Sequence, residues 1–154
     1  MAAMSTFGST LKMGATTAGA YTLPTNSVGE VTSLNLDGLQ LSTIDVTTIS
    51  DRFRKFIPGI IDSGTITLEV NVDPDDTNGQ ALIMDLLDVT ANTTAPVAKS
   101  FLLEYGAASG NPGCKFECVG IVTQASFKGA IDSALTASLT IKLTGSLNFV
   151  DVDS

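Results

Sequence analysis

The chain has 154 residues, 44% hydrophobic and 16% charged, which is the composition of one folded domain with a sizeable core and excludes a disordered polymer. A formal net charge of −8 opposes nucleic-acid binding, because affinity there comes from Lys and Arg displacing counterions. The sequence has no His, so the commonest acid-base group and metal ligand is missing, and no apolar run reaches the ~20 residues that cross a bilayer.

Residues 1–27 are rich in Ala, Gly, Ser and Thr and poor in large apolar groups. Such a stretch buries too little surface to order alone, so it is expected to be a flexible arm that orders on assembly. It shows no basic region followed by an apolar core, so no signal peptide is expected and the chain is read as made in the cytoplasm. The β signal begins after Glu30. Val31 to Leu36 reads as a short strand, Asp37-Gly38 as a hairpin turn, and Leu39 to Thr47 as the returning strand. Thr48 to Ile61 is an aromatic and basic segment. Thr65 to Val72 alternates cleanly, with Ile66, Leu68, Val70 and Val72 opposed to Thr65, Thr67, Glu69 and Asn71.

Asp75, Asp76, Thr77 and Asn78 then offer capping oxygens, and Leu82, Ile83, Leu86 and Leu87 recur at helical spacing. A helix is therefore expected over about 78–89. Asp85 and Asp88 fall late in it, where the macrodipole disfavours anions, so they are expected to meet a cation on another subunit. Val97 to Tyr105, Cys114 to Phe127 and Leu135 to Leu143 complete the strands, the second slipping phase near Cys118-Val119. About seven strands with one flanking helix predict a mainly β fold of sandwich or barrel-like form, with the domain spanning 28–150.

Several chemical motifs fail on inspection. The loop from Asp73 to Gly79 has Asn78 where a calcium loop needs glycine and Met84 where it needs glutamate. Ser109 stands one place off a nucleophile elbow and has no His to activate it. Cys114 and Cys118 would share one strand face roughly 13 Å apart, too far for a disulfide, and read as small core hydrophobes flanking Phe116. No catalytic residue, cofactor or metal is expected.

The stretch from Asp51 to Gly59 is different. Arg52, Arg54 and Lys55 gather charge among Phe53, Phe56 and Ile57, and Pro58-Gly59 closes the run. Aromatics with arginine are the residue types enriched at binding hot spots, so Asp51, Arg52, Phe53, Arg54, Lys55, Phe56, Ile57, Pro58 and Gly59 are the candidate inter-subunit surface. An amphipathic hairpin packed on its own domain is the alternative reading of the same residues.

The run Thr43-Ile-Asp45-Val-Thr47, Asp51, Phe56-Ile-Pro58-Gly59-Ile-Ile-Asp62-Ser-Gly64, with the later Phe116-Glu-Cys-Val-Gly120 and Leu139-Thr-Ile-Lys-Leu-Thr-Gly145, resembles the major tail tube proteins of long non-contractile-tailed bacteriophages. The resemblance covers about residues 28–149. It implies a tail tube fold shared with type VI secretion tube proteins, and homo-hexameric rings stacked into a hollow tube. It also implies a loop over about 47–62 that packs on neighbouring subunits. The implied partners are a tape measure protein inside the tube, terminator and tip proteins at its ends, and double-stranded DNA passing without specific binding. The implied location is the virion tail, assembled in the host cytoplasm, with no membrane involved. An acidic bore suits such passage by repelling DNA, and Glu69 is the candidate lumen-facing acid. A secretion tube protein and a β-sandwich binding or adhesion module are the competing readings.

Overall fold

The computed structural model describes residues 9–16, 24, 26–77, 80, 98–106 and 113–151. The strands in them are β1 Thr10–Thr16, β2 Asn26–Ser27, β3 Val31–Asp37, β4 Gln40–Asp45, β5 Phe56–Asp62, β6 Thr65–Asn71, β7 Lys99–Tyr105, β8 Cys114–Lys128 and β9 Thr136–Asp151. A seven-stranded sheet runs in the order β2-β1-β7-β8-β9-β6-β3, while β4 and β5 form a separate two-stranded ribbon. The chain is therefore mainly β, as its periodicity predicts. The expected helix at 78–89, with Asp85 and Asp88, lies outside the described residues except for Gln80.

The alternation in β6 dictates its orientation. Ile66, Leu68 and Val70 are fully buried, and Glu69 on the opposite face is exposed. Full burial of each such side chain contributes roughly 1.5–3 kcal/mol. The inward residues of seven strands meet in one core only if the sheet bends over on itself. β8 and β9 provide the bend. β7 pairs with the first half of β8, up to Gly120, and β6 pairs with the first half of β9, up to Lys142. Between these halves the register slips twice, once opposite Gly145 and once between Val122 and Gln124. Extra residues of this kind curve a strand and let it turn from one layer to the next. Gly120 sits on the inside of the bend, where an added Cβ would lie 2.7 Å from Ile141 Cγ2. Leu11, Phe101 and Leu103 from one half then pack with Ile66, Leu68, Leu139 and Ile141 from the other. The Tyr105 hydroxyl donates to the Leu34 carbonyl at 3.1 Å, tying β7 to the far edge strand. The result is barrel-like.

Three segments differ from the sequence expectation. Asp37-Gly38 makes no hairpin turn: β3 pairs with β6, and the chain runs through Gly38 and Leu39 into β4, whose partner is β5. Gly38 and Gly64 both adopt left-handed geometry, at φ of 82° and 90°, which serves a joint between two ribbons instead of a reversal. Next, Thr10–Thr16, inside the stretch read as a flexible arm, is a sheet strand paired with β7. The low average hydrophobicity of that stretch concealed Leu11 and Met13, which alternate and are buried. Finally, β9 continues past Leu143 to Asp151, because the irregularity at Gly145 interrupts the alternation without ending the pairing.

The cysteines behave as small core residues. Cys118 is buried, and burial raises its thiol to about 12, while Cys114 is half-buried beyond Phe116. Tyr105, Phe116 and Phe149 line up across three strands, with ring centroids 6.1 and 5.2 Å apart.

Candidate subunit interface

The β4–β5 ribbon prolongs the β3–β6 pair outward, from Asp37 opposite Thr65 to Gln40 opposite Asp62. Its base is fixed to the barrel. The Gly64 amide donates to Asp62 Oδ1 at 2.9 Å, the Lys142 ammonium contacts both Asp62 oxygens at 3.0 and 3.2 Å, and the Ser63 hydroxyl donates to the Gly145 carbonyl. The Gly64 amide, followed by the Lys142 ammonium, holds the Asp62 carboxyl below its ordinary pKa. No side chain fits at Gly64, where a Cβ would collide with the Asp37 carbonyl oxygen. Halfway along, β5 carries an extra residue around Gly59-Ile60. The Ser42 hydroxyl enters this bulge, donating to the Ile60 carbonyl at 3.0 Å and accepting from its amide at 2.9 Å. Gly59 leaves the room for that hydroxyl.

The tip, residues 46–55, is built and not loose. The Val46 amide donates to the Lys55 carbonyl at 2.9 Å, and the Lys55 amide to Thr47 Oγ1 at 2.9 Å. Asp45 accepts from the Thr47 amide at 2.9 Å. Asp51 accepts from the Thr48 amide and hydroxyl at 2.8 and 2.9 Å and pairs with the Lys55 ammonium. That ammonium, followed by the Thr48 donors, depresses the Asp51 pKa. The segment expected as a loop over 47–62 is thus the tip of a hairpin and its second strand, Phe56–Asp62.

What the ribbon displays is unusual for a surface. Phe53 is 83% exposed, and Leu41, Ile44, Phe56, Ile57, Ile60 and Ile61 are all exposed. The register puts Leu41, Phe56 and Ile61 on one face and Ile44 and Ile57 on the other. A ribbon lying against its own domain would cover one face and leave the other in water. This ribbon leaves both in water, so the alternative of an amphipathic hairpin packed on its own domain does not hold. Exposed contiguous apolar surface of this kind marks an interaction site. Arg52 and Arg54 are exposed and form no ion pair among the described residues.

The structure therefore brings Asp51 through Gly59 into one element but divides their roles. Asp51 and Lys55 organise the tip, Arg52, Phe53 and Arg54 project from it, and Phe56, Ile57, Pro58 and Gly59 form β5. Leu41 and Ile44 on β4 belong to the same surface and were absent from the sequence-derived set. Their signal is the register, which sets Leu41 opposite Ile61 and Ile44 opposite Ile57 and which the sequence alone does not state.

Glu69 is exposed on the outer face of β6, paired with Ser33 and Ser138. Thr67, Asn35, Thr140 and Gln124 extend this face across neighbouring strands. With Lys142 paired to Asp62, its remaining charges are Asp37 and Glu69 against Lys128. The face is hydroxyl- and amide-rich and nearly neutral. Among the described residues no group of three acids or cysteines comes together to hold a metal.

The family described as phage tail tube, TTP, lambda-like matches residues 13–151. Among curated proteins none matches this sequence. Solved structures with the same fold include a chain of the sheath/tube terminator of the extracellular contractile injection system PVC, in the extended state. It has TM-score 0.69 and 13% identity, over 98% of this chain and 99% of that one. A chain of the PVC sheath-tube complex in the extended state has TM-score 0.68 and 14% identity, over 97% and 93%. A chain of the tail of an empty GTA particle, refined helically with C6 symmetry, has TM-score 0.60 and 13% identity, over 81% and 85%.

Proposed function

The chain belongs to the lambda-like phage tail tube family, and from that premise we propose that its ribbon joins copies into hexameric rings stacked as a conduit for the genome. The protein is a structural subunit of the virion tail, with the tail tube fold. The observation that carries the assembly reading is the exposed ribbon, apolar on both faces and held rigid at tip and base. A surface built to this degree before any partner arrives loses little conformational entropy on docking, which is how preorganised interfaces gain affinity. Its two apolar faces call for cover from two sides, as in a closely packed tube. Sixfold rings are supported by the C6 symmetry of the GTA tail that the chain resembles.

In this reading the outer face around Glu69 lines the bore. It offers hydroxyls and amides with little positive charge, so phosphates find few counterions to displace and the polymer slides. The acids elsewhere on the chain add long-range repulsion. Terminator and tip proteins close the tube ends, and a tape measure protein occupies the bore during assembly; the rest of the arm expected over 1–27, beyond β1 and β2, lies largely outside the described residues. In this reading the protein works by shape and contact and carries out no reaction.

Reversing the exposed cations, Arg52→Glu with Arg54→Glu, tests the ribbon. The variant is expected to remain a folded monomer and to form no long assemblies in sedimentation. Tubes of normal length from this variant would remove the ribbon from the interface.

A further inference from the structure

We infer that residues 28–30 form a strap across the open seam of the barrel and that Gln80 is its latch, so that β1 and β2 can leave as a unit while the other strands stay folded. The sheet order leaves two edges, β2 with β1 behind it on one side and β3 on the other. The bend brings β1 near β3, but among the described residues no backbone ladder joins them. The chain itself crosses the seam, between Ser27 and Val31.

The strap is fastened at three points. Val28 is buried in the core, and its amide donates to the Leu11 carbonyl at 2.9 Å. The Glu30 carbonyl accepts from the Asn71 amide at 3.0 Å, at the end of β6. Gly29, between them, is held by side chains: its amide donates to Asp76 Oδ2 at 2.9 Å and its carbonyl accepts from Gln80 Nε2 at 2.9 Å. Gln80 is 1% exposed, and its remaining groups bind the same corner of the barrel. Nε2 also donates to the Asn71 carbonyl at 2.9 Å, Oε1 accepts from the Asp73 amide at 3.0 Å, and the backbone amide donates to Asp76 Oδ2 at 3.1 Å. Two donated bonds and one accepted bond are what a side-chain amide supplies; a carboxylate here would face two carbonyls.

The strap is held under strain. Glu30 adopts a φ of 55°, a left-handed geometry uncommon for a glutamate, so the crossing is imposed by its fastenings. With the latch open, β1 rests on β7 and the two residues of β2, along a register broken between Met13 and Thr16. The other strands keep continuous ladders from β7 through β8, β9 and β6 to β3. A segment joined to the body by few bonds on one side opens as a cooperative unit well before the whole domain unfolds. The device lets the N-terminal strand pair leave and return without disturbing the β3–β6–β9 layer that carries the ribbon.

Hydrogen exchange of the native monomer, followed against denaturant, tests this. In the wild-type protein the amides of β1 and of Val28 should exchange through one shared partial opening with a small denaturant dependence, below the global unfolding that β6 and β9 report. Amides of β1 that follow the same curve as those of β6 would overturn the inference, and this measurement needs no variant. Gln80→Met keeps the size of the side chain and removes its hydrogen bonds. It should speed exchange in β1 by about tenfold or more, because buried polar groups lose their partner. Gly64→Ala strains the ribbon joint, which stays intact in the partial opening, so it should speed exchange in β6 and β9 and leave β1 unchanged. Exchange in β1 that ignores Gln80→Met, or that follows Gly64→Ala as closely as β6 does, would show that the opening does not break the strap.

Discussion

Phe53 separates folding from assembly more sharply than any other residue. It is 83% exposed at the ribbon tip and is absent from the core, whereas Phe101 is fully buried within it. Truncating Phe53 to alanine removes little from the monomer, because a side chain in water contributes within about ±0.5 kcal/mol to stability. In the assembled state nearly the whole ring is available for burial, worth about 2–3 kcal/mol. At 1.4 kcal/mol per tenfold, that loss should raise the threshold concentration for tube growth by about 30- to 150-fold. Phe101→Ala should do the reverse, costing the monomer about 3–5 kcal/mol through the cavity left behind. The assay pairs thermal unfolding of the monomer with a concentration series of turbidity and sedimentation. A Phe53→Ala protein that assembles at the wild-type threshold would refute the reasoning, as would one whose monomer unfolds several degrees early.

Gly64→Ala should destabilise the monomer by about 2 kcal/mol or more, from left-handed strain of roughly 1–2 kcal/mol and collision with the Asp37 carbonyl. Gly129→Ala, where the nearest atom is Leu135 Cδ1 at 3.4 Å, is the control expected to unfold near the wild-type temperature in the same scan. Asp51 has its pKa depressed by Lys55 and the Thr48 donors, so the order it gives the tip is complete above the ordinary carboxylate range and is lost as pH falls through the lowered value. Carbon-detected titration of its carboxyl should show a midpoint below that of an ordinary aspartate, and a midpoint at or above that range contradicts the tip geometry. Cys118, with its thiol raised to about 12 by burial, should resist alkylation at pH 8 in the folded protein and react once denaturant is added, with mass spectrometry locating the label.

The strands with one wet and one dry face were legible from sequence. β6, the first half of β9 and the long β8 with its slip all follow from period-two alternation, because burial on one side forces it. The N-terminal strand was hidden because only Leu11 and Met13 mark it within a run of small residues. Asp37-Gly38 misled for a physical reason. The left-handed glycine that a tight turn needs is the same glycine that a joint between two ribbons needs, and only Gly64 on the partner strand distinguishes them. The tip residues Arg52, Phe53 and Arg54 stood out by composition. The two-faced character of the ribbon did not, since it depends on pairing Leu41 with Ile61 and Ile44 with Ile57.

An exposed ribbon with apolar residues on both faces is also an aggregation hazard, and the charge distribution addresses it. The net charge of −8 repels copies at long range, while the ribbon cations attract an acidic surface only at close approach. These two effects respond differently to salt. The Debye length is about 30 Å at 0.01 M and about 8 Å at 0.15 M, so moderate salt removes the repulsion between approaching subunits and leaves contact pairs a few ångströms apart largely intact. Elongation should therefore quicken as salt rises over that range and depend more weakly on it beyond. Arg52→Glu with Arg54→Glu makes the ribbon acidic and lowers the net charge further, so any residual association of that variant should rise with salt through the whole range. Light scattering against ionic strength distinguishes the two curves. Elongation of the wild-type protein that falls steadily from the lowest salt upward would mean that contact pairs, and not net repulsion, govern the approach, and the separation of roles between ribbon and body would fail.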